Sequence, residues 1–382
     1  MRLSPRTLNQ IHSPIGEAFA LGMQGGKSRP LLNMSQAAPA CATAPAITAH
    51  IAEQVHAPDI GGYAPQPGLR ALREVFAGEL SADYQGAVSP NQVLITPGCN
   101  QAFCLVASAL AGPGHNIILV SPFYFNHDMW LRLDGTEVKH LVTGEDLMPD
   151  PDAAAALIDN RTAAIVMVTP GNPTGAIAEP ALIRSMAEMA RRHEVALVID
   201  ETYRSYRGTD APAHDLFAEP GWDDTVVSLH SFSKDFALPG YRVGAMVGSA
   251  ELLAESMKLL DCMTICTPRI GQEAVWAGLT QATSWRAEKV AETLARQAHF
   301  EMLMADQPGG YELVSAGAYF GWLRHPFAGR PTKDVVRSLV VDHDVLMIPG
   351  DAFTASDERM IRSSFANLTI SELDELATRL TE

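Results

Sequence analysis

An α/β fold built on a mostly parallel sheet is predicted by three observations. From about residue 90 to residue 250, short apolar runs alternate with stretches of helical periodicity, the pattern of strands joined by crossover helices. The apolar runs are too continuous for surface strands, as expected of a sheet covered on both faces. They end in loops rich in Gly, Pro, Asn and Asp, on the edge where open parallel sheets hold their ligands. A chain of 382 residues can bury a large core and ordinarily divides into two domains. It contains no internal repeat and no low-complexity linker.

Each element can be justified in turn. Gly61, Gly62 and Tyr63 open a segment in which Gly68 and Arg70 read as the entry and the solvated face of a helix. Residues 93–96 form a short strand leading through Pro97, Gly98, Cys99, Asn100 and Gln101 to an amphipathic helix over residues 103–110. The unpaired N–H groups at Gly98 to Asn100, at the positive end of that helix, suit an anion, although any helix start offers the same groups. Residues 117–120 form the next strand, followed by Ser121, Pro122, Phe123 and Tyr124. Residues 163–168 are a buried strand running into Thr169, Pro170, Gly171, Asn172, Pro173, Thr174 and Gly175. The prolines and glycines make that loop rigid, and Asn172 is its one side chain carrying both a donor and an acceptor. Residues 196–200 are a further strand ending in Asp200, with Tyr203 three positions on. Asp200 stands at a carboxyl end, where a ligand belongs; a turn-capping aspartate is the plainer alternative.

The reactive chemistry concentrates at Lys234, in Ser231-Phe232-Ser233-Lys234, with Arg242 eight residues later between Gly240 and Gly244. Of the six lysines, at 27, 139, 234, 258, 289 and 333, Lys234 is the one framed by Ser, Gly and Arg at a strand-to-loop boundary. An amine able to form a Schiff base therefore adjoins hydroxyls, a guanidinium and glycine-permitted backbone approach, all suited to a phosphate. A phosphate-bearing aldehyde fits, namely pyridoxal 5'-phosphate, an electron sink held by a lysine. Its pyridinium nitrogen needs a carboxylate to stay protonated, which Asp200 can supply. Asn172 and Tyr203 can bond its phenolate oxygen from opposite sides.

With these motifs the chain resembles the class I/II aminotransferases of the aspartate aminotransferase fold, the fold-type I pyridoxal-phosphate enzymes, from about residue 30 to residue 370. The resemblance implies a large domain with a mostly parallel seven-stranded sheet and a smaller α+β domain. It places residues 1–48 in an N-terminal arm joined to the small domain, 49–284 in the large domain and 285–382 in the small one, with the boundary helix starting near Ser284. It implies that Lys234 carries the cofactor as an aldimine and moves the substrate α-proton. Ser231, Ser233, Arg242 and the turn at Gly98, Cys99 and Asn100 are then the phosphate site, and Asp200 lies on the pyridine nitrogen. Asn172 and Tyr203 lie on the phenolate oxygen, and Tyr124 stacks on the ring, a contact worth ~0.5–1.5 kcal/mol beyond burial. His127 matches a histidine that supports the aspartate from behind. Tyr63 matches a tyrosine that reaches the neighbouring subunit's phosphate, which implies a homodimer with shared active sites. Arg362, followed by Phe365-Ala366 and preceded by Pro349-Gly350 and Phe353, matches the arginine that grips the substrate carboxylate through its planar fork. Asn172 also faces the substrate. Ala37 replaces a family glycine whose N–H helps to bind the same carboxylate; the N–H survives, while the pocket width there departs from the pattern.

The activity so implied is transfer of an amino group from an L-amino acid to a 2-oxo acid. The same fold also hosts carbon–sulfur β-lyases and aminocyclopropane-carboxylate synthases, and residues 233–240 resemble the latter, whereas Thr174 fits transaminases. A ligand sensor of this fold needs an N-terminal basic winged helix, and only about 30 residues precede the matched region. The formal net charge of −16 and the lack of any basic run argue against a nucleic-acid surface. No zinc-type Cys/His spacing occurs. The five cysteines, at 41, 99, 104, 262 and 266, are expected to be reduced thiols of a cytoplasmic protein, with Cys262 and Cys266 buried on one helix face. The N-terminus lacks the apolar stretch of a signal peptide, and no run approaches the ~20 apolar residues of a membrane span. Beyond about residue 285, helical stretches flank residues 317–322, expected as a strand.

Overall fold

The computed structural model describes residues 1–26, 28–354 and 359–382. Its centre is a seven-stranded sheet in the order Val93–Thr96, Gly244–Val247, Val226–Ser231, Ala196–Asp200, Thr162–Val168, Asn116–Ser121, Glu137–Val142. Only Gly244–Val247 runs against its neighbours, pairing Thr96 with Gly244 on one side and Ser231 with Gly244 on the other. The carboxyl ends Thr96, Ser121, Val168, Asp200 and Ser231 therefore share one edge with the start of the reversed strand.

The strands are continuous apolar runs because both faces are covered. Alternate residues go to opposite sides, as the period of two demands. Ile117, Leu119 and Val198 pack with Phe103, Leu105 and Val106 of the helix Cys99–Leu110 and with Leu253 and Leu260 of the helix Ala250–Thr264. Ile118, Leu197 and Ile199 pack on the other side, with Phe76, Ile183, Met186 and Ala274 from the helices Arg70–Asp83, Pro180–Arg192 and Arg269–Gln281. Each fully buried aliphatic side chain contributes ~1.5–3 kcal/mol. A sheet so loaded is a rigid platform for the loops at its edge.

A second, antiparallel sheet runs in the order Ile348–Pro349, Met360–Ser363, Phe320–Arg324, Glu312–Gly317. The helices Thr283–Met304, Thr332–His343 and Ile370–Thr381 send Phe300, Val335, Val336, Leu339, Leu373, Leu376 and Leu380 into the core around it. The N-terminal segment joins the same body: Leu32–Asn33 pairs in parallel with Val345–Leu346, and Ser364 N donates to Met34 O at 2.9 Å. Among the described residues, no helix is long and apolar enough to cross a membrane.

Two local expectations are corrected. Residues 317–322 are not one strand. Gly317 ends one strand and Phe320, Gly321 and Trp322 belong to the next, with a hairpin turn at Ala318, φ 52°, and Tyr319 between them. Cys262 and Cys266 do not share a helix, because the helix stops at Thr264 where Ile265 takes φ 64°. Cys262 is exposed and Cys266 buried. No group of His, Cys, Asp or Glu among the described residues can hold a metal ion.

Candidate active site

The shared strand edge walls a cavity of about 460 Å³ lined by residues from separate segments, among them Ala37, Cys99, Asn100, Tyr124, Asn172, Asp200, Tyr203, Ser231, Ser233, Lys234 and Arg242. Most of the side chains singled out from the sequence meet here. Tyr63 does not: it is 77% exposed and lies outside the lining.

One end of the cavity is built for negative charge. Gly98 has φ 87° and precedes the helix Cys99–Leu110, whose first N–H groups open toward the cavity. Arg242, itself at φ 54°, lies so close that a Cβ on Gly98 would collide with its guanidinium. A Cβ on Gly244 would lie 2.5 Å from the Cys99 amide nitrogen. These two glycines let the guanidinium, the helix start and the strand end occupy one corner. Ser231 and Ser233 add hydroxyls there, with Ser233 N donating to Ser231 Oγ at 3.3 Å.

The other end carries a fixed negative charge. Asp200 is 4% exposed. Its Oδ1 accepts from the Thr202 amide at 3.0 Å and from the Cys99 thiol at 3.7 Å, and its Oδ2 lies 3.4 Å from His127 Nε2. Burial alone would raise its pKa, but His127 and Thr202 outweigh burial and hold it below the ordinary carboxylate value. His127 lies on the first turn of the helix Phe125–Asp134. Its ring stacks on Phe103 at 3.9 Å between centroids and meets Tyr124 edge-on at 5.2 Å. The Tyr124 hydroxyl in turn accepts from Asn126 Nδ2 at 3.0 Å.

Between these ends stands Lys234, whose Nζ donates to the carbonyl of Ala37. Burial lowers its pKa to about 8, with the charges of Arg362 and Arg242 adding to the effect. The group that Ala37 turns to the site is thus its carbonyl. Arg362 is 2% exposed and sits on the strand Met360–Ser363, opposite Trp322. Its Nη1 donates to Asn172 Oδ1 at 2.9 Å and its Nη2 to the Ser35 carbonyl, and among the described residues its Nε has no partner. Phe320 and Phe353 lie 4.9 and 4.8 Å from the guanidinium. Burial brings its pKa down to about 10, still charged at neutral pH. With Oδ1 taken by Arg362, Asn172 has its amide N–H groups left to donate in the cavity. Tyr203 is buried against Phe320 at 5.2 Å, edge to face, and burial pushes its hydroxyl well above the ordinary tyrosine value.

Sequence reasoning passed over several contributors. Ser35 acts through its backbone carbonyl, which carries no residue signature, and Thr202 acts on Asp200 through both its amide and its side chain. Asn367 fastens the segment that carries Ala37: its Oδ1 accepts from Ala38 N at 3.2 Å, while its Nδ2 donates to Asn33 O at 3.2 Å and to Gln36 O. Its signal lay in the run after Arg362, where an asparagine closes the motif. The arrangement combines an anion cradle, an opposed carboxylate, a depressed-pKa amine between them and a buried guanidinium nearby. We expect Arg362→Lys to raise KM for a carboxylate substrate by roughly tenfold or more, since a point charge cannot replace a fork. Steady-state kinetics on the variant would show it, and an unchanged KM would remove Arg362 from substrate binding.

The family model described as aminotransferase class I and II matches residues 29–380. An aromatic aminotransferase of Arabidopsis thaliana, ISS1, is 28% identical over 342 residues, 86% of this chain and 84% of that protein. The arginine–pyruvate transaminase AruH of Pseudomonas aeruginosa is 30% identical over 305 residues, 78% of this chain and 77% of that protein. Among solved structures, the aspartate aminotransferase of Thermus thermophilus with maleate shares the fold at TM-score 0.89 and 24% identity, over 100% of this chain and 99% of that one.

Proposed function

The chain belongs to the aminotransferase class I and II family and is an aminotransferase of amino acids and 2-oxo acids, and we propose that it works with pyridoxal 5'-phosphate seated in this cavity and attached at Lys234. The observation that carries the reading is the opposed charge at the cavity's two ends, with an amine of lowered pKa between them. The donor set fits the group. Arg242, Ser231, Ser233 and the amides from Gly98 to Asn100 would hold its phosphate, and Asp200 its ring nitrogen. Tyr124 would lie on the ring, and Asn172 and Tyr203 would reach its phenolate oxygen. When bound, the cofactor supplies an electron sink for the α-carbon of the amino acid.

The chain's own residues do the rest. Arg362 orients the substrate through its carboxylate, with Asn172 Oδ1 and the Ser35 carbonyl keeping the guanidinium in place. Lys234, freed when the substrate amine takes its place on the cofactor, takes the α-proton at Nζ and returns it after the electrons move, and burial with the nearby Arg362 and Arg242 favours its neutral form. Asp200 stays ionised throughout, since His127 and Thr202 hold its pKa down. Tyr203 holds its proton, as burial requires, and donates a hydrogen bond. The test is a panel of amino donors with 2-oxoglutarate or pyruvate as acceptor, followed by visible absorbance. Donor addition should shift the spectrum and an acceptor should restore it. Release of pyruvate and ammonia without an acceptor would assign a lyase instead.

The same reading divides the chain into an arm (1–48), a large domain (49–284) and a small domain (285–382), and keeps it in the cytoplasm, supported by five cysteines that are all free thiols. It also makes the active unit a homodimer. What supports this is the exposure of Tyr63, outside its own chain's cavity. If Tyr63 serves the partner's phosphate site, mixing inactive Tyr63→Ala chains with inactive Lys234→Ala chains should restore part of the activity, because one site of each mixed dimer escapes both defects. No recovery despite proven subunit exchange would remove Tyr63 from the shared site.

A further inference from the structure

Two buried tyrosines that the reading above leaves unused meet at Lys234. Tyr206 Oη lies 3.1 Å from the Lys234 carbonyl, and Tyr319 Oη lies 3.3 Å from Tyr206 Oη. A carbonyl only accepts, so Tyr206 must donate to it, and Tyr319 must donate to Tyr206. The direction of the chain is thereby fixed: Tyr319 to Tyr206 to the backbone of Lys234. Both side chains are 2% exposed or less. Their rings cross edge to face at 5.0 Å and 88°, and Tyr319 also touches Tyr203 at 5.5 Å. The face of Tyr319 lies 5.9 Å from Lys234 Nζ. Tyr206 follows the strand that ends in Asp200, whereas Tyr319 sits in the hairpin turn of the second sheet.

We propose that Tyr319 and Tyr206 are positioning residues for Lys234, a two-hydroxyl strut that fixes its backbone while the Tyr319 ring face receives its ammonium after proton transfer. The proposal rests on Lys234 being the proton-transferring amine. The strut acts on that amine at two points. The hydroxyls hold the main chain from which the side chain swings, so the arc of Nζ has a fixed origin. The ring stabilises a cation at the end of that arc without a counter-charge that would trap it. An acidic group there would hold the ammonium and slow its return to the neutral form. A buried hydroxyl chain is also stiffer than either bond alone, because each donor polarises the next.

The experiment compares Tyr319→Phe, Tyr206→Phe and their double variant, as holoenzymes, with Tyr311→Phe as a control. Tyr311 is a buried tyrosine of the same core, outside the strut. Measured are kcat and KM for an amino donor, the isotope effect with α-deuterated donor, the pH midpoint of the resting enzyme's visible absorbance, and the melting temperature. Both single variants are expected to lose about tenfold in kcat, less than the ~100-fold that a ~1 Å misplacement of a reacting group can cost. KM should stay within about twofold, the isotope effect should rise and the absorbance midpoint should move. The double variant should fall no further than Tyr206→Phe, since the chain passes through Tyr206. If Tyr206→Phe does not fold, Tyr319→Phe, which keeps its ring, carries the test. Wild-type kcat, isotope effect and midpoint in the single variants would overturn the proposal. So would a change in melting temperature alone, matched by Tyr311→Phe. An active Lys234→Ala enzyme would instead overturn the reading beneath it, so the two failures are distinguishable.

Discussion

Lys234→Ala is expected to lose amino-group transfer by about 10⁴-fold or more, the upper range for removing a positioned acid–base group. That corresponds to at least ~5.5 kcal/mol of transition-state stabilisation. The loss should be chemical and not structural. The lysine is half-buried, and the two nearest charges acting on it, Arg362 and Arg242, are both repulsive, so the native fold gives up little when the ammonium goes. Deleting it leaves the Ala37 carbonyl without a donor at the cavity wall, where water can replace it. The variant should therefore melt near the parent temperature. It should still take up pyridoxal 5'-phosphate through the Arg242 corner and Asp200, but reversibly. Hydride reduction followed by mass measurement reads this directly: the parent chain should retain the cofactor's mass at Lys234 and the variant should not. A fully active variant, or one that retains the mass, would end the assignment.

Asp200→Asn is expected to cost about 10³-fold, concentrated in proton transfer. The change keeps the shape. An asparagine Oδ1 can still accept from the Thr202 amide, and its Nδ2 can face the imidazole, which accepts in one tautomer. Only the charge is removed, and with it the means of keeping a bound ring nitrogen protonated. Single-turnover kinetics with an α-deuterated donor isolates that step, and parent-like rates would remove Asp200 from the mechanism. The pH dependence follows from the same environment. The Asp200 pKa lies below the ordinary carboxylate value, so its charge persists above that value and is lost only as pH falls through the depressed pKa. A decline in rate between pH 5 and 9 belongs to another group. In the resting chain Lys234, at about 8, is the candidate.

How much was legible in the sequence depended on how local the signal was. Asp200, Asn172 and Lys234 follow strand ends within a few residues, and the covered sheet brings those ends to one edge. Strand pattern plus loop residues therefore pointed to a cluster that the fold does assemble. Arg362 was legible as a motif, but its aromatic walls and its hold on Ser35 were not, because residues 35, 320 and 353 are neighbours only after folding. The hydroxyl chain from Tyr319 through Tyr206 was hidden for the same reason, each tyrosine looking like ordinary core. The errors came from backbone geometry that side-chain types do not announce. Ile265 and Ala318 take positive φ without being glycine, and so a helix ended early and an expected strand was split by a turn.

The pairing of residues 32–37 with partners far along the chain bears on how the protein is made. Leu32 and Asn33 need Val345 and Leu346, Met34 needs Ser364, Ser35 needs Arg362, and Ala37 needs Lys234. Most of those partners leave the ribosome near the end of synthesis. At ~5–20 residues per second, the apolar stretch around Leu31, Leu32 and Met34 waits roughly a quarter of a minute to a minute before its strand partner exists. A segment translated long before its partners is thus among the last to settle. A nascent chain stalled before residue 345 would hold a formed central sheet and a loose segment around residues 32–37, open to capture by a chaperone or a protease.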